Sequence, residues 1–387
     1  MKPEEADRFA SSAVAYIHIP FCSAVCPYCD FAVVAGRDDL ASRYVEALCA
    51  EIERAEPWIP LDAVYFGGGT PSHVDPGLLA RILDTLAARH GIATDAEVTL
   101  EANPEDFSLD RAVRLRESGF NRVSFGAQSF DRAVLVALGR RHDGNQVETS
   151  VVSAGAAGFD NISIDLIYGT PGATHESWIE SLRRVTAIGP QHVSCYALTV
   201  EPGTPLGREV RAGAPAPDPD RQADHYEIAD RALTEAGYRR YEVSNWARPG
   251  TECRYNMTVW AQGEYEAYGN GAHGFRQGRR YRNHRRLDAY IARVESGDSP
   301  RAGDDAVVGW DAEIDRLFVG LRRTVGVAEG PGTEALLTSD NGKSLLEAEV
   351  IRGENGRVVV TKPLLTDAVQ RSVLGLSAPN VMVASDA

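Results

Sequence analysis

The chain has 387 residues, 43% hydrophobic and 25% charged, which suits an ordinary globular protein of about two or three domains. Its 40 basic and 55 acidic residues give a net charge of −15, which excludes nucleic acid as the main partner, because a phosphate-binding surface needs a basic excess. The opening MKPEEADRFASSAVAYIHIPF has no basic start and no long apolar stretch, and no later run approaches the ~20 apolar residues of a membrane span, so neither a signal peptide nor an integral membrane protein is expected. The cytoplasm is the expected compartment.

In chain order, β-branched runs predict strands near 13–19, 63–66, 97–101, 122–126, 162–168 and 192–198. Amphipathic stretches predict helices between them, at 40–55, 76–90, 108–119 and 175–188, the third opening on a Ser N-cap and closing on a Gly. Such alternation implies parallel strands with right-handed crossovers. No G-x-G-x-x-G follows the first strand, so the six units point to a barrel-like sheet, open on one side, rather than a dinucleotide-binding fold. After residue 200 the pattern changes. A Pro- and Gly-rich stretch, 201–220, reads as a loop, and a helix is expected at 221–237. The expected divisions are a tail at 1–15, a core at 16–240, a mixed segment at 241–300 and a small mixed α+β C-terminal domain at 301–387. Within the last, helices are expected near 311–323 and 364–376, with a β-turn at RGENGR, 352–357.

Six cysteines are too few for a disulfide framework in a chain of this length. Three of them, Cys22, Cys26 and Cys29, crowd the loop after the first strand, at the end of a βα barrel where chemistry sits. C-x3-C-x2-C with no nearby His is a poor zinc pattern, whereas a [4Fe–4S] cube held by three thiolates leaves one iron open to another ligand. Cys49 in a helix and Cys195 in a strand read as small core residues.

C-x3-C-x2-C resembles the radical S-adenosylmethionine (SAM) superfamily. With YIHIPFC, YFGGGTPS, TLEANPED, RVSFGAQSF, IDLIYGTPG and YEVSNWA, the chain resembles one branch of it from about residue 14 to 290. That branch holds oxygen-independent coproporphyrinogen III dehydrogenase and the heme chaperones of the HemW type. The resemblance implies a partial (β/α)6 barrel of radical SAM type, with SAM on the open iron of the cluster. It implies that Tyr16, Gly68 and Glu101 line the cluster-bound SAM. In the dehydrogenase a second SAM site involves the positions matching Tyr28, Gly69, Thr70, Gln128, Arg140 and Asp165, with Ala197 nearby. Read on their own, the glycines of GGGT (67–70) allow a close ligand approach or a tight turn. Glu101 is either a ribose acceptor or a solvated acid. Asp165, inside the apolar run ISIDLIYG, is either a ligand contact or a structural hydrogen-bond acceptor.

The dehydrogenase carries a further cysteine two residues after the third ligand, and its N-terminal extension is longer. Here that position is Phe31, as in the chaperone branch, and only fifteen residues precede Tyr16. A phenyl ring supplies no thiol, so the resemblance favours the chaperone over the enzyme. It implies heme and acceptor hemoproteins as partners. The branch's HN-x-x-YW heme motif is altered here to YNMTVW, with Tyr255 for the His, while Asn256 and Trp260 remain. Heme is therefore expected to be ligated by Tyr255, Cys253 or His273, unless YNMTVW is a strand edge around a core Trp. The stretch 276–293 is densely basic. It reads as a seat for heme propionates, as a patch for an anionic membrane surface, or as a solvated face neutralised by acidic neighbours.

Overall fold

The computed structural model describes residue 4 and residues 7–378. The ends of the expected tail and C-terminal domain, residues 1–3, 5, 6 and 379–387, lie outside the described residues. Six strands, β1 (Val14–Ile19), β2 (Leu61–Gly68), β3 (Ile92–Ala102), β4 (Arg122–Gln128), β5 (Asn161–Tyr168) and β6 (His192–Ala197), pair in parallel in that order. Each strand-to-strand crossover carries helix, including Ala41–Arg54, Pro76–His90, Leu109–Glu117, Gly144–Ala156 and His175–Ile188. Local chemistry sets their ends. Ser108 accepts a hydrogen bond from Arg111 N, Asp143 and Gln146 form a capping box, and Gly189 closes its helix at φ 70°.

Strand side chains alternate between two faces, and here the alternation separates two kinds of surface. Val64, Phe66, Leu100, Val123 and Phe125 join helix residues such as Leu48, Leu79 and Leu115 in one apolar core. Ile164, Leu166, Val193 and Cys195 join Trp178 and Leu182 in a second. The opposite parity is polar: Glu101 stands beside Ser124, Ser124 beside Ser163, and Asp165 beside Ser194. A parallel sheet with a polar inner face is building a site rather than a second core.

The sheet continues beyond six strands. Past β6 lie β7 (Arg239–Glu242) and β8 (Asn245–Ala247), both antiparallel, with β8 next to β6. On the other flank β9 (Tyr265–Tyr268) pairs with β1 in parallel, and β10 (His273–Arg276), β11 (Arg279–Asn283) and β12 (Arg301–Ala306) follow antiparallel. The order is β12-β11-β10-β9-β1-β2-β3-β4-β5-β6-β8-β7, so the ladder keeps two ends and the barrel is partial.

Three expectations need correction. The stretch 201–220 is not all loop: Thr204 caps a short helix, Pro205–Arg211, with Pro at its first position. YNMTVW is no strand edge but part of the helix Arg254–Trp260, and Trp260 is half-buried with Arg322 stacked 4.7 Å from its ring. The boundary near 301 falls inside the sheet, because β12 pairs along β11. The C-terminal unit then packs four helices on a three-stranded sheet around Leu317, Leu336, Val358 and Val369. The turn at 352–357 is a tight hairpin in which Asn355 and Gly356 both take positive φ, 52° and 70°.

Candidate functional site

The loop that carries Cys22, Cys26 and Cys29 is held at both feet. Phe21–Cys22 pairs in parallel with Val34–Ala35, Gly69 N donates to Ile19 O at 2.8 Å, and Thr70 N donates to Phe21 O at 2.9 Å. Leu206 N donates to Pro27 O at 2.9 Å, which ties the loop's middle to the helix of the 201–220 stretch. Cys22, Cys26 and Cys29 all face a cavity of about 520 Å³ at the carboxyl ends of β2 to β6. Thr70 Oγ1 and Arg140 Nη1 each stand 3.6 Å from a sulfur, of Cys22 and Cys26 respectively. Burial, reinforced by the charges of Cys29 and Cys26, pushes the Cys22 thiol up to about 11. Three thiols close enough to repel one another as thiolates, with donors aimed at two sulfurs, are a donor set that a cationic iron–sulfur cluster satisfies.

The expected SAM residues Tyr28, Gly68, Gly69, Thr70, Glu101, Gln128, Arg140, Asp165 and Ala197 line the same cavity. Glu101 accepts from Tyr65 Oη at 2.9 Å and from Gly68 N at 3.2 Å, yet burial still pushes its carboxyl up to about 7. Asp165 accepts from Ser124 Oγ at 2.9 and 3.0 Å, and desolvation raises its pKa as well. Asp165 is thus a structural hydrogen-bond acceptor within a wall that lines the cavity. Arg140 is committed to Cys26, to Asn103 Oδ1 at 2.6 Å and to Gly126 O at 2.8 Å.

The glycines of the β2 turn also lie where a Cβ has no room, in addition to the expected turn and ligand readings. At Gly68, φ 107°, a Cβ would meet His18 at 2.3 Å, and at Gly69 it would meet the backbone of 19–21 at 2.7–2.8 Å. Their small size serves packing beneath the loop. The N–H groups of Gly68, Gly69 and Thr70 are already used.

Tyr16 lies elsewhere. With Tyr255 and His273 it lines a second cavity of about 620 Å³, alongside His18, Tyr265, Arg282 and Arg285. Asp30 and Phe31 border both cavities, and the Phe31 side chain is 68% exposed. Tyr255 stacks among tyrosines, 5.2 Å from the Tyr65 ring and 6.0 Å from that of Tyr16. Cys253 is 1% exposed at the head of the same helix, where burial pushes its thiol up to about 12. Asn256 and Trp260 line neither cavity. The basic stretch is largely neutralised: Arg276 pairs with Glu264, Arg279 with Asp304, Arg280 with Asp315 and Arg285 with Asp30.

Sequence reasoning missed Asn103, which orients Arg140, and His18, whose Nδ1 lies 3.1 Å from Tyr16 Oη and whose Nε2 lies 3.1 Å from Ala32 O. Strand parity places His18 beside Gly67 on the inner face, and parity was the available signal.

Residues 16–185 match the family pattern of the Radical SAM superfamily. The chain is similar to the heme chaperone HemW of Mycobacterium tuberculosis, 39% identical over 376 residues that cover 93% of this chain and 94% of that one. It is similar to the heme chaperone HemW of Synechocystis sp., 36% identical over 378 residues, covering 92% and 91%. Among solved structures it shares the fold of coproporphyrinogen III oxidase (HemN) from Escherichia coli, with a TM-score of 0.81 at 24% identity over 96% of this chain and 92% of that one. A relationship of this extent, on a fold whose three loop thiols share one cavity, places the chain in the HemW family of the radical SAM superfamily.

Proposed function

We propose that this protein is a heme chaperone, which binds heme and passes it to acceptor hemoproteins. What carries the reading is the end-to-end similarity to heme chaperones, joined to Phe31 at the mouth of the cluster cavity. The position where the dehydrogenase branch has a fourth cysteine holds an exposed phenyl ring here.

In this reading Cys22, Cys26 and Cys29 would hold a [4Fe–4S] cluster, and SAM would bind beside it in the same cavity. When bound, that pair supplies one-electron chemistry at the SAM sulfonium. The chain's own residues bind and orient. Glu101 would accept from the ribose hydroxyls. Thr70 and Arg140 would donate to the Cys22 and Cys26 thiolates and stabilise their charge. Gln128, Arg140, Asp165 and Tyr28 complete the wall, where a second SAM would lie.

The test is a hemin titration of anaerobically reconstituted full-length protein, with coproporphyrinogen III decarboxylation assayed in parallel. The chaperone reading expects a saturable one-to-one change in the Soret band and no vinyl-bearing product. Decarboxylation without specific heme binding would overturn it in favour of the enzyme.

A further inference from the structure

The second cavity has features that the cluster and SAM do not use. Its long wall is aromatic, with Tyr16, Tyr255 and Tyr265 in successive ring contact and Phe31 at the rim. Its opposite wall is the β10–β11 ladder, where His273 stands directly across from Arg282. Residues opposite each other on an antiparallel pair share a face, so imidazole and guanidinium project together. Both are exposed, and among the described residues neither side chain has a hydrogen-bond or ion-pair partner. Among the arginines that line this cavity, Arg285 meets the Asp30 carboxylate and Arg282 does not.

Arg282 is nevertheless placed. A Cβ on Gly303 of β12 would sit 2.8 Å from its guanidinium carbon, so the side chain lies across a strand position where even a methyl group would crowd it. Arg282 and Arg285 against Asp30 leave the lining with a positive balance, in a chain whose net charge is −15. A ligand that suits this cavity is flat and aromatic, bears carboxylates, and offers a metal to a free imidazole. A volume of about 620 Å³ is ample for such a molecule. The other expected ligands fare worse: Cys253 is sealed in the core, and Tyr255 is engaged on three sides by Tyr16, Tyr65 and Tyr265.

We infer that this cavity seats the heme, with His273 as axial ligand to the iron and Arg282 as the partner of a propionate. The inference rests on the chaperone reading and deepens it. The seat also shares a wall with the cluster loop. Arg285 bonds Asp30 at 3.0 Å, while His18 and Asn270 both reach Ala32 O at 3.1 Å, so residues 30–32 are tied to both cavities.

The experiment titrates full-length, cluster-reconstituted wild type, His273→Ala and Arg282→Gln with three probes: hemin, hemin dimethyl ester and metal-free protoporphyrin IX. His273→Ala should change the Soret position and weaken hemin binding at least about tenfold, as loss of an axial bond requires, while leaving metal-free protoporphyrin binding unchanged. Arg282→Gln should weaken hemin about tenfold and spare the dimethyl ester, whose carboxylates are masked. A His273→Ala spectrum and affinity equal to wild type would overturn this seat and leave the chaperone reading intact. Wild type without saturable hemin binding would overturn both. Iron and sulfide content verifies each variant's fold. Should His273→Ala lose its cluster, Arg282→Gln carries the test, and equal weakening of hemin and its ester would then refute the seat.

Discussion

Gly69→Ala tests how the cluster loop is held. The added methyl would fall 2.7 Å from Ile19 O, 2.8 Å from Phe21 O and 2.8 Å from Pro20 C, against ordinary contact at 3.4 Å and beyond. All three are backbone atoms, so no rotamer change relieves the clash. The chain at 19–21 must retreat by about 0.6–0.7 Å, and it is held by Gly69 N to Ile19 O and Thr70 N to Phe21 O. Overpacking costs about 1–3 kcal/mol and a weakened buried hydrogen bond adds about 1 kcal/mol, so a loss of about 2–4 kcal/mol is expected. Because Cys22 directly follows Phe21, its thiol moves with it, and iron bound per chain should fall. Urea denaturation and iron and sulfide analysis of the anaerobically purified variant measure both effects. Gly155→Ala is the control: it lies inside a helix with nothing within 4 Å of the new Cβ, and should be neutral or slightly stabilising. A Gly69→Ala protein with wild-type urea midpoint and full iron would refute the claim that backbone contact fixes the loop.

Other expectations follow from the same geometry. Glu101 has a folded pKa of about 7 against an ordinary 4.5, so its ionisation favours unfolding. The cost is absent below about pH 4.5, grows through that window and reaches about 3 kcal/mol above pH 7. Without SAM, urea stability should therefore fall between pH 5 and 8, and Glu101→Gln should flatten the fall; an unchanged slope would contradict the assignment. Cys22→Ser, Cys26→Ser and Cys29→Ser should each abolish stoichiometric iron, whereas Cys49→Ser and Cys195→Ser, packed in the two cores, should lower stability and leave iron content unchanged. Phe31→Ala removes a ring that is 68% exposed, so its melting temperature should match wild type within error while hemin affinity drops, which optical titration checks.

The six parallel strands were legible because buried parallel strands read as β-branched runs. Their ends were not: β3 begins at Ile92, five residues before the expected start, where its side chains become exposed and the apolar signal fades. Strand β9 left no local mark, because four residues, YEAY, gain their identity from β1 some 250 positions upstream. YNMTVW could be read either as a heme motif or as a strand edge, and its helix depends on tertiary packing of Met257 in a small core against the β preference of Thr258 and Val259. The thiol loop is local in sequence and was fully readable. The His273 cavity draws on β1, the loop of the three cysteines, the helix Arg254–Trp260, β9, β10 and β11, so its residues could be named one by one but not seen as neighbours.

Strand β1 pairs on one side with Leu61–Gly68 and on the other with Tyr265–Tyr268. A nascent chain emerges N-terminus first, so the cluster loop is made early while one of its supporting strands is made late. Until residue 268 has left the ribosome, β1 is paired with β2 alone and its other edge is open. A fragment ending before Tyr265 would keep Cys22, Cys26 and Cys29 and the backbone bonds that hold their loop, on a sheet whose β1 lacks one of its two neighbours.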